Sequence, residues 1–401
     1  MIKPQTLKGF RDFLPTDAIK RQFLIEKIQA VFKRFGFDPL ETPALEYAET
    51  LLGKYGDEAD KLLYSFEDRG GRKVGMRYDQ TVPAARVVAQ YGQDLPSPFK
   101  RYQIQPVWRA ENTQKGRYRE FLQCDIDTFG EPSYLADTEI IACVYAVMHD
   151  LGFASFRITI NDRTLFGDIP PGAITAIDKL AKIGPEGVKK ELTAKGFDPM
   201  LLDTIRNNKP SPLLRNIMEL LPQMGVSMDA VRFDPTLARG LDYYTSTIVE
   251  VAIEGYTAGS VGGGGRYDKL IGQFTGKEVP AVGFAFGFDR MLEAMDEANL
   301  LPTQKTATAV FVAVFSPALF SQSLALVSRL RDAGIAAEVS LDAASKLDKQ
   351  LKYADRKGMP YAVIQGPKEK TKNMVILKSM ATQKQDEVTI DELIARLTKD
   401  E

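Results

Sequence analysis

Two long strand-like runs, residues 99–108 and 119–129, meet across a polar loop at residues 112–119, and they constrain the fold more than any other feature of this chain. Runs of this kind joined by a short connection predict an antiparallel pair. Side chains alternate between the faces of a strand, so Gln123, Asp125 and Asp127 fall on one face, and Arg109, beside the end of the first run, can turn toward them. A hairpin with a solvated polar face accounts for the same pattern. Yet a glutamine, two aspartates and an arginine converging on one sheet surface are costly to bury unless something polar binds there.

Further strand-like runs at 156–160, 247–253 and 281–286 enlarge the predicted antiparallel sheet. From about 168 to 221 the pattern changes to short helical pieces with scattered Pro and Gly, which predicts a helical insertion within the sheet domain. Ahead of the sheet, Phe23, Leu24, Ile28, Val31, Phe32 and Phe35 recur at the spacing of an amphipathic helix over 17–35, with Thr16 placed to cap it and Gly36 to stop it. The proline-punctuated stretch 37–44 then reads as an edge or interface strand. A plausible linker spans 299–306. Beyond it, apolar runs at 309–315, 336–340 and 361–365 alternate with helical patterns at 318–333 and 347–357, a βαβαβ series that implies a partly parallel sheet. The fold class is therefore α+β, divided at about residue 305: a sheet domain over 1–305 and a smaller α/β domain over 306–401.

Composition narrows the function. The chain of 401 residues, 44% hydrophobic and 26% charged, reads as an ordinary soluble protein. It has no apolar run of the ~20 residues a membrane span needs, and its opening has no apolar signal core, so a cytoplasmic location is the default. Cys124 and Cys143 fit free thiols in a reducing compartment. The single histidine, His149, excludes an HExxH zinc site and any His-rich metal cluster, and its context resembles the end of an amphipathic helix. A net charge of -1 argues against bulk nucleic-acid binding. A local basic face remains available in Lys100, Arg101, Arg109, Lys115, Arg117 and Arg119.

A second polar cluster lies later in the chain: Arg239, Gly240, Leu241, Asp242, Tyr243, Tyr244 and Thr245, followed by the glycine run 262–265 and by Arg266, Tyr267 and Asp268. A permanent cation, phenolic hydroxyls and a flexible glycine loop suit a pocket for a small polar ligand. Strand packing and turn chemistry account for the Tyr pair and the glycines equally well at this level. Two nucleotide fingerprints fail here. Position 267 is Tyr, which breaks G-x-G-x-x-G, and the spacing from Gly272 to Gly276-Lys277 is too short for a P-loop, with Glu278 where Ser or Thr is needed.

Arg109-x-Glu111, the basic loop and Arg117-Tyr118-Arg119-Glu120-Phe121-x-Gln123 resemble motif 2 of class II aminoacyl-tRNA synthetases, in the form carried by the histidyl-tRNA synthetase family. Residues 239–244 resemble that family's histidine-binding signature, 6–12 its opening, 41–43 its motif 1, 77–83 its Arg-x-acid-x-Thr element and 283–290 its motif 3. Residues 351–358 resemble a helix of its C-terminal domain. The resemblance implies a class II antiparallel-sheet catalytic domain with a helical insertion, followed by an α/β anticodon-binding domain.

It also implies a reaction: ATP-dependent activation of L-histidine to histidyl-adenylate, then transfer to the 3′ end of tRNA(His). By the same resemblance Arg109 and Arg239 are catalytic cations at the α-phosphate, and Glu111 accepts from the adenine amino group. Phe121 and Arg290 sandwich the adenine ring, and Arg117 meets the γ-phosphate. Asp79 and Gln123, with Thr81 beside them, hold the amino-acid end of histidine, while Asp127 and Tyr244, with Tyr243, bind its two imidazole nitrogens and Tyr267 stands beside the glycine run that approaches the ring. Mg2+ is expected on the leaving pyrophosphate, no residue is assigned to it, and a homodimer follows from motif 1. Gln80 departs from the pattern, standing where an apolar residue is expected. The nearest rivals are the synthetase-like regulatory subunit of the ATP phosphoribosyltransferase of histidine biosynthesis, against which the C-terminal unit and the signature around Arg239 argue, and a non-catalytic RNA-binding or sensor module, against which Arg109, Gln123, Asp127 and Arg239 argue.

Overall fold

The computed structural model describes residues 2–53, 61–113, 118–238 and 243–399. The chain divides into two compact units, one of Met1–Asp12 with Leu24–Leu301 and the other of Phe13–Phe23 with Pro302–Glu401.

The first unit is built on an eight-stranded sheet among the described residues. Its strands lie side by side in the order Asp38–Pro39, Phe99–Trp108, Glu120–Phe129, Ala281–Gly287, Gly262–Arg266, Thr247–Ile253, Phe156–Asp162 and Val231–Phe233. The six inner strands are antiparallel, and the two short edge strands run parallel to their neighbours. The expected hairpin is the longest pair, with Arg101 opposite Asp127, Gln103 opposite Asp125 and Gln105 opposite Gln123. On the other side of that polar row, Gly283, Ala285 and Gly287 pair with Asp127, Asp125 and Gln123. Thus one face carries a polar strip beside a strip of very small residues. The opposite face is apolar. There Leu24, Ile28, Val31 and Phe32 of the helix Pro15–Arg34 are buried, and the Phe32 ring lies 5.8 Å from Tyr102 and 6.3 Å from Phe286.

Several local expectations are corrected. The first helix begins at Pro15, so Thr16 lies inside its first turn rather than capping it; proline suits this position because an N–H there has no helical partner. The glycine run is not a flexible loop but a central strand, Gly262–Arg266. Glycine is needed there by close approach: a Cβ on Gly264 would lie 2.1 Å from the Gly283 carbonyl oxygen, and one on Gly265 2.3 Å from that of Thr247. Among the described residues Lys100 and Arg101 do not share a basic face. Alternation sends Lys100 to Glu139 at 2.8 Å, whereas Arg101, 0% exposed, turns into the protein beside Asp127. Lys115 and Arg117 lie outside the described residues.

Helices Pro171–Ile177, Leu180–Ala194, Leu201–Arg206 and Pro212–Leu220 occupy the stretch expected to be helical. Ala173, Ile177, Val188, Leu192, Leu202 and Ile205 form the common core of the first three, while Pro212–Leu220 packs against the helix Tyr134–Asp150. A three-stranded sheet of Leu45–Tyr47, Lys73–Met76 and Ser65–Glu67 was not foreseen, because such short strands leave little periodicity to read.

The second unit holds a five-stranded sheet in the order Ala337–Val339, Val310–Ala313, Tyr361–Ile364, Met374–Ser379 and Gln385–Thr389. The first three strands are parallel, as the βαβαβ series predicts, and the antiparallel pair at the end adds to it. Val310, Val312, Val363 and Val375 pack with Leu326 and Leu330 of the helix Phe320–Asp332 and Leu393 of Ile390–Lys399. Phe311, Ala313, Ala362 and Ile364 pack with Leu351 and Ala354 of Leu347–Lys357. Among the described residues no helix is long and apolar enough to cross a membrane.

Candidate active site

Two adjoining cavities open over the polar face of the large sheet. The larger, about 340 Å³, is lined by Arg109, Glu111, Phe121 and Arg290, together with Gly262 to Gly264 of the glycine strand. The smaller, about 120 Å³, is lined by Asp79, Thr81, Gln123, Asp125, Asp127, Tyr243, Tyr244 and Tyr267. Arg109, Gln123 and Tyr244 border both. Every expected site residue that the structure describes therefore borders one of two connected chambers, with the nucleotide set in one and the amino-acid set in the other. Arg239 and Arg117 lie outside the described residues.

Arg109 is held by its own neighbours. Its Nε donates to the Tyr78 carbonyl at 3.1 Å, and its guanidinium lies 4.3 Å from the Tyr78 ring and 5.1 Å from the Phe121 ring. Aromatic faces attract a cation, so the fork is oriented before any anion arrives. Arg290 NH1 donates to the Ser260 carbonyl at 2.8 Å. An outer brace closes this chamber: Arg11 donates to Asp289 at 2.7 Å and its guanidinium lies 3.2 Å from the Tyr118 ring, with both partners bordering the cavity. Arg119 N–H donates to the Gly9 carbonyl at 3.0 Å, tying the base of the polar loop to the N-terminal segment.

In the smaller chamber Asp127 is tightly held. Its Oδ1 accepts from the Tyr267 hydroxyl, and its Oδ2 lies 2.5 Å from Arg101. Gly283 makes room for it, since a Cβ there would lie 1.8 Å from Oδ1. Burial raises the Asp127 carboxyl to about 6, against the opposing pull of Arg101 and of the Tyr267 hydrogen bond. Asp125, two residues away, is raised well above the usual carboxylate range, first by burial and then by Asp127 and Asp79, with Arg101 and Arg109 opposing. The phenols of Tyr243, Tyr244 and Tyr267 are all raised by burial, so they remain protonated donors at neutral pH.

The tyrosines form a wall, with Tyr243 5.0 Å from Tyr244 and 5.7 Å from Tyr267, centroid to centroid. Tyr243 and Thr81 share a hydrogen bond. Asp79 Oδ1 accepts from the Val82 N–H at 3.1 Å, in the first turn of the helix Thr81–Tyr91.

Three residues near these chambers were not assigned a role from the sequence. Arg101 could have been found, because the register places it directly across from Asp127. Gln80 is fully buried, and its amide donates to the Gln105 carbonyl at 2.7 Å and the Gln123 carbonyl at 3.3 Å. It pins the helix start to the long hairpin, which an apolar residue could not do. Asp125 was placed on the polar face and given nothing to do. His149 is 71% exposed in the last turn of its helix and borders neither chamber.

Comparison with known proteins agrees with this geometry. The sequence profile of histidyl-tRNA synthetase matches residues 9–175 and 202–291, and that of an anticodon binding domain matches 309–400. A histidine–tRNA ligase of Rhodopirellula baltica is 41% identical over 97% of this chain and 96% of its own length. One from Aeropyrum pernix is 38% identical over 98% of this chain and 97% of its own. The crystal structure of histidyl-tRNA synthetase from Nostoc sp. PCC 7120 superposes with a TM-score of 0.88 at 29% identity, covering 100% of both chains. The chain, with its paired chambers over one polar sheet face, belongs to the histidyl-tRNA synthetase family.

Proposed function

We propose that this chain activates L-histidine with ATP and transfers it to tRNA(His), using the larger chamber for ATP and the smaller one for the amino acid. The observation that carries the assignment is the border between them. Arg109 and Gln123 line both cavities, at the point where a histidine carboxylate entering from one side meets a phosphate entering from the other. The carboxylate oxygen attacks the α-phosphorus, the bond to the β-phosphate breaks and pyrophosphate leaves. Two anions approach in that step, so a pre-oriented guanidinium lowers the barrier directly. The ribose hydroxyl at the tRNA 3′ end then attacks the acyl carbon and releases AMP.

Within this reading Phe121 and Arg290 flank the adenine and Glu111 accepts from its amino group, while Arg239 and Arg117 act on the phosphates. Asp79, Thr81 and Gln123 take the ammonium and carboxylate ends of histidine, and Asp127 with Tyr243, Tyr244 and Tyr267 encloses the ring. Magnesium would arrive on the phosphates of ATP.

The C-terminal unit supplies exposed Lys349 and Lys352 on the helix Leu347–Lys357, with exposed Lys346 just before it, for tRNA. A homodimer acting in the cytoplasm completes the proposal, the dimer resting on the resemblance of residues 41–43 to motif 1. Light scattering should then give twice the chain mass of 44.5 kDa. Histidine-dependent ATP–pyrophosphate exchange, followed by aminoacylation of tRNA(His), tests the activity. A folded protein that supports neither reaction overturns the reading.

A further inference from the structure

The segment 77–81 borders both chambers, and it is fastened at two points to a single strand residue, Gln105. Arg77 Nη1 donates to the Gln105 side-chain oxygen at 2.9 Å and to the Thr42 carbonyl at 2.6 Å, and Arg77 Nε donates to the Pro106 carbonyl at 2.8 Å. Three residues on, the Gln80 side-chain amide donates to the Gln105 carbonyl at 2.7 Å and to the carbonyl of Gln123, the residue paired with Gln105, at 3.3 Å. Tyr78, next to Arg77, borders the larger chamber, whereas Asp79 and Thr81, on either side of Gln80, border the smaller one.

The two fastenings serve different chambers. Arg109 is held by the Tyr78 carbonyl and ring, so the Arg77 anchor beside Tyr78 secures the nucleotide side. The Gln80 amide secures the other side: its chain neighbours Asp79 and Thr81 and its bonding partner Gln123 are the three residues facing the amino-acid end. Gln80 itself is fully buried and borders neither cavity, so it acts only through these neighbours. Its side-chain oxygen finds no partner among the described residues. An unpartnered buried oxygen is destabilising, so an apolar side chain of the same length would fill this space at lower cost, giving up only the donor.

We propose that Gln80 is a positioning residue for histidine activation: its amide fixes Asp79, Thr81 and Gln123 relative to one another, so that the substrate carboxylate is presented to the α-phosphate in attacking geometry. The inference rests on the reading of the smaller chamber as the histidine site. A displacement of about 1 Å in groups that hold a reacting atom can cost on the order of 10²-fold in rate. The Gln80 backbone carbonyl, which accepts from Arg101 at 3.4 Å, does not depend on the side chain, so the ring end of the chamber keeps its contacts when the amide is removed.

The test uses the full chain with Gln80→Met, an unbranched side chain of similar length that has no donor. In ATP–pyrophosphate exchange kcat/KM for histidine should fall ~10- to 100-fold, while the KM for ATP stays within about threefold because the Arg77 anchor is intact. Free imidazole, which presents the ring without the amino-acid end, should inhibit both proteins with constants within about threefold of each other. Gln80→Asn keeps the amide but is one methylene too short to reach both carbonyls, and should lose as much as Gln80→Met. A kcat/KM for histidine within about threefold of normal overturns the role of Gln80. So do equal losses for histidine, ATP and imidazole, because a merely structural residue would loosen the whole site. Should Gln80→Met not fold, Gln80→Asn decides by the same criteria, and failure of both to fold makes Gln80 a structural element and overturns the proposal. Absence of histidine-dependent exchange in the unsubstituted chain overturns the underlying assignment instead, and with it this proposal.

Discussion

The two main sheets of this protein handle burial in opposite ways. In the C-terminal unit both faces are apolar: Val310 and Val312 turn to one set of helices and Phe311 and Ala313 to another. In the large sheet one face is equally apolar, but the other buries Arg101, Gln103, Gln123, Asp125 and Asp127. The first arrangement maximises apolar contact. The second accepts desolvated polar groups, which are retained where they recognise a ligand or hold another group that does.

The largest expected difference between the sheets is in the response to removing a cation. Arg101→Met leaves Asp127 buried without its ion partner and should destabilise the first unit by about 3–5 kcal/mol, read as a lowered denaturant midpoint. If stability were unchanged, the polar face would be no more demanding than the apolar one. Arg109→Ala should leave stability nearly unaltered yet reduce exchange activity by ~10²–10³, because its partners are aromatic faces and a carbonyl rather than a buried anion. A matched loss of stability would place Arg109 with Arg101.

In the second unit Val312→Ala should cost about 1–3 kcal/mol by loss of packing, with no change in the KM for histidine. The smaller chamber also predicts a pH effect. Because the folded-state pKa of Asp127 is raised to about 6, the folded protein holds its proton more tightly than the unfolded chain does. That contribution to stability is complete below the ordinary carboxylate pKa and is lost as pH rises through about 6. Asp127→Asn should remove this component of the slope between pH 4 and 6. An identical slope in the variant would assign the titration elsewhere.

The same contrast explains what the sequence revealed. The C-terminal alternation was legible because uninterrupted apolar runs and helical spacing leave few other solutions, although the final antiparallel pair, from Met374 to Thr389, has weaker patterning and escaped notice. The long hairpin was legible for a related reason: Gln123, Asp125 and Asp127 at period two point to one face. Assigning work to each of them required the register, which set Arg101 against Asp127 and Gln103 against Asp125. The glycine run misled because glycine ordinarily signals a turn; only the proximity of neighbouring backbones shows why a central strand should lack side chains. The resemblance grouped the described site residues much as the two cavities do, but it marked Gln80 only as a departure from the pattern, since its bonds to two sheet carbonyls are a tertiary fact.

The lone His149 has a practical consequence. It is largely exposed, and its nearest charged partner, Asp150, is 3.5 Å away. Exposed pairs of this kind contribute little, so His149→Gln should shift stability by no more than about 0.5 kcal/mol. The resulting protein would contain no imidazole of its own. Every imidazole resonance in a complex with isotope-labelled histidine would then belong to the substrate, so the protonation of its ring and the groups that hold it could be observed against a silent background.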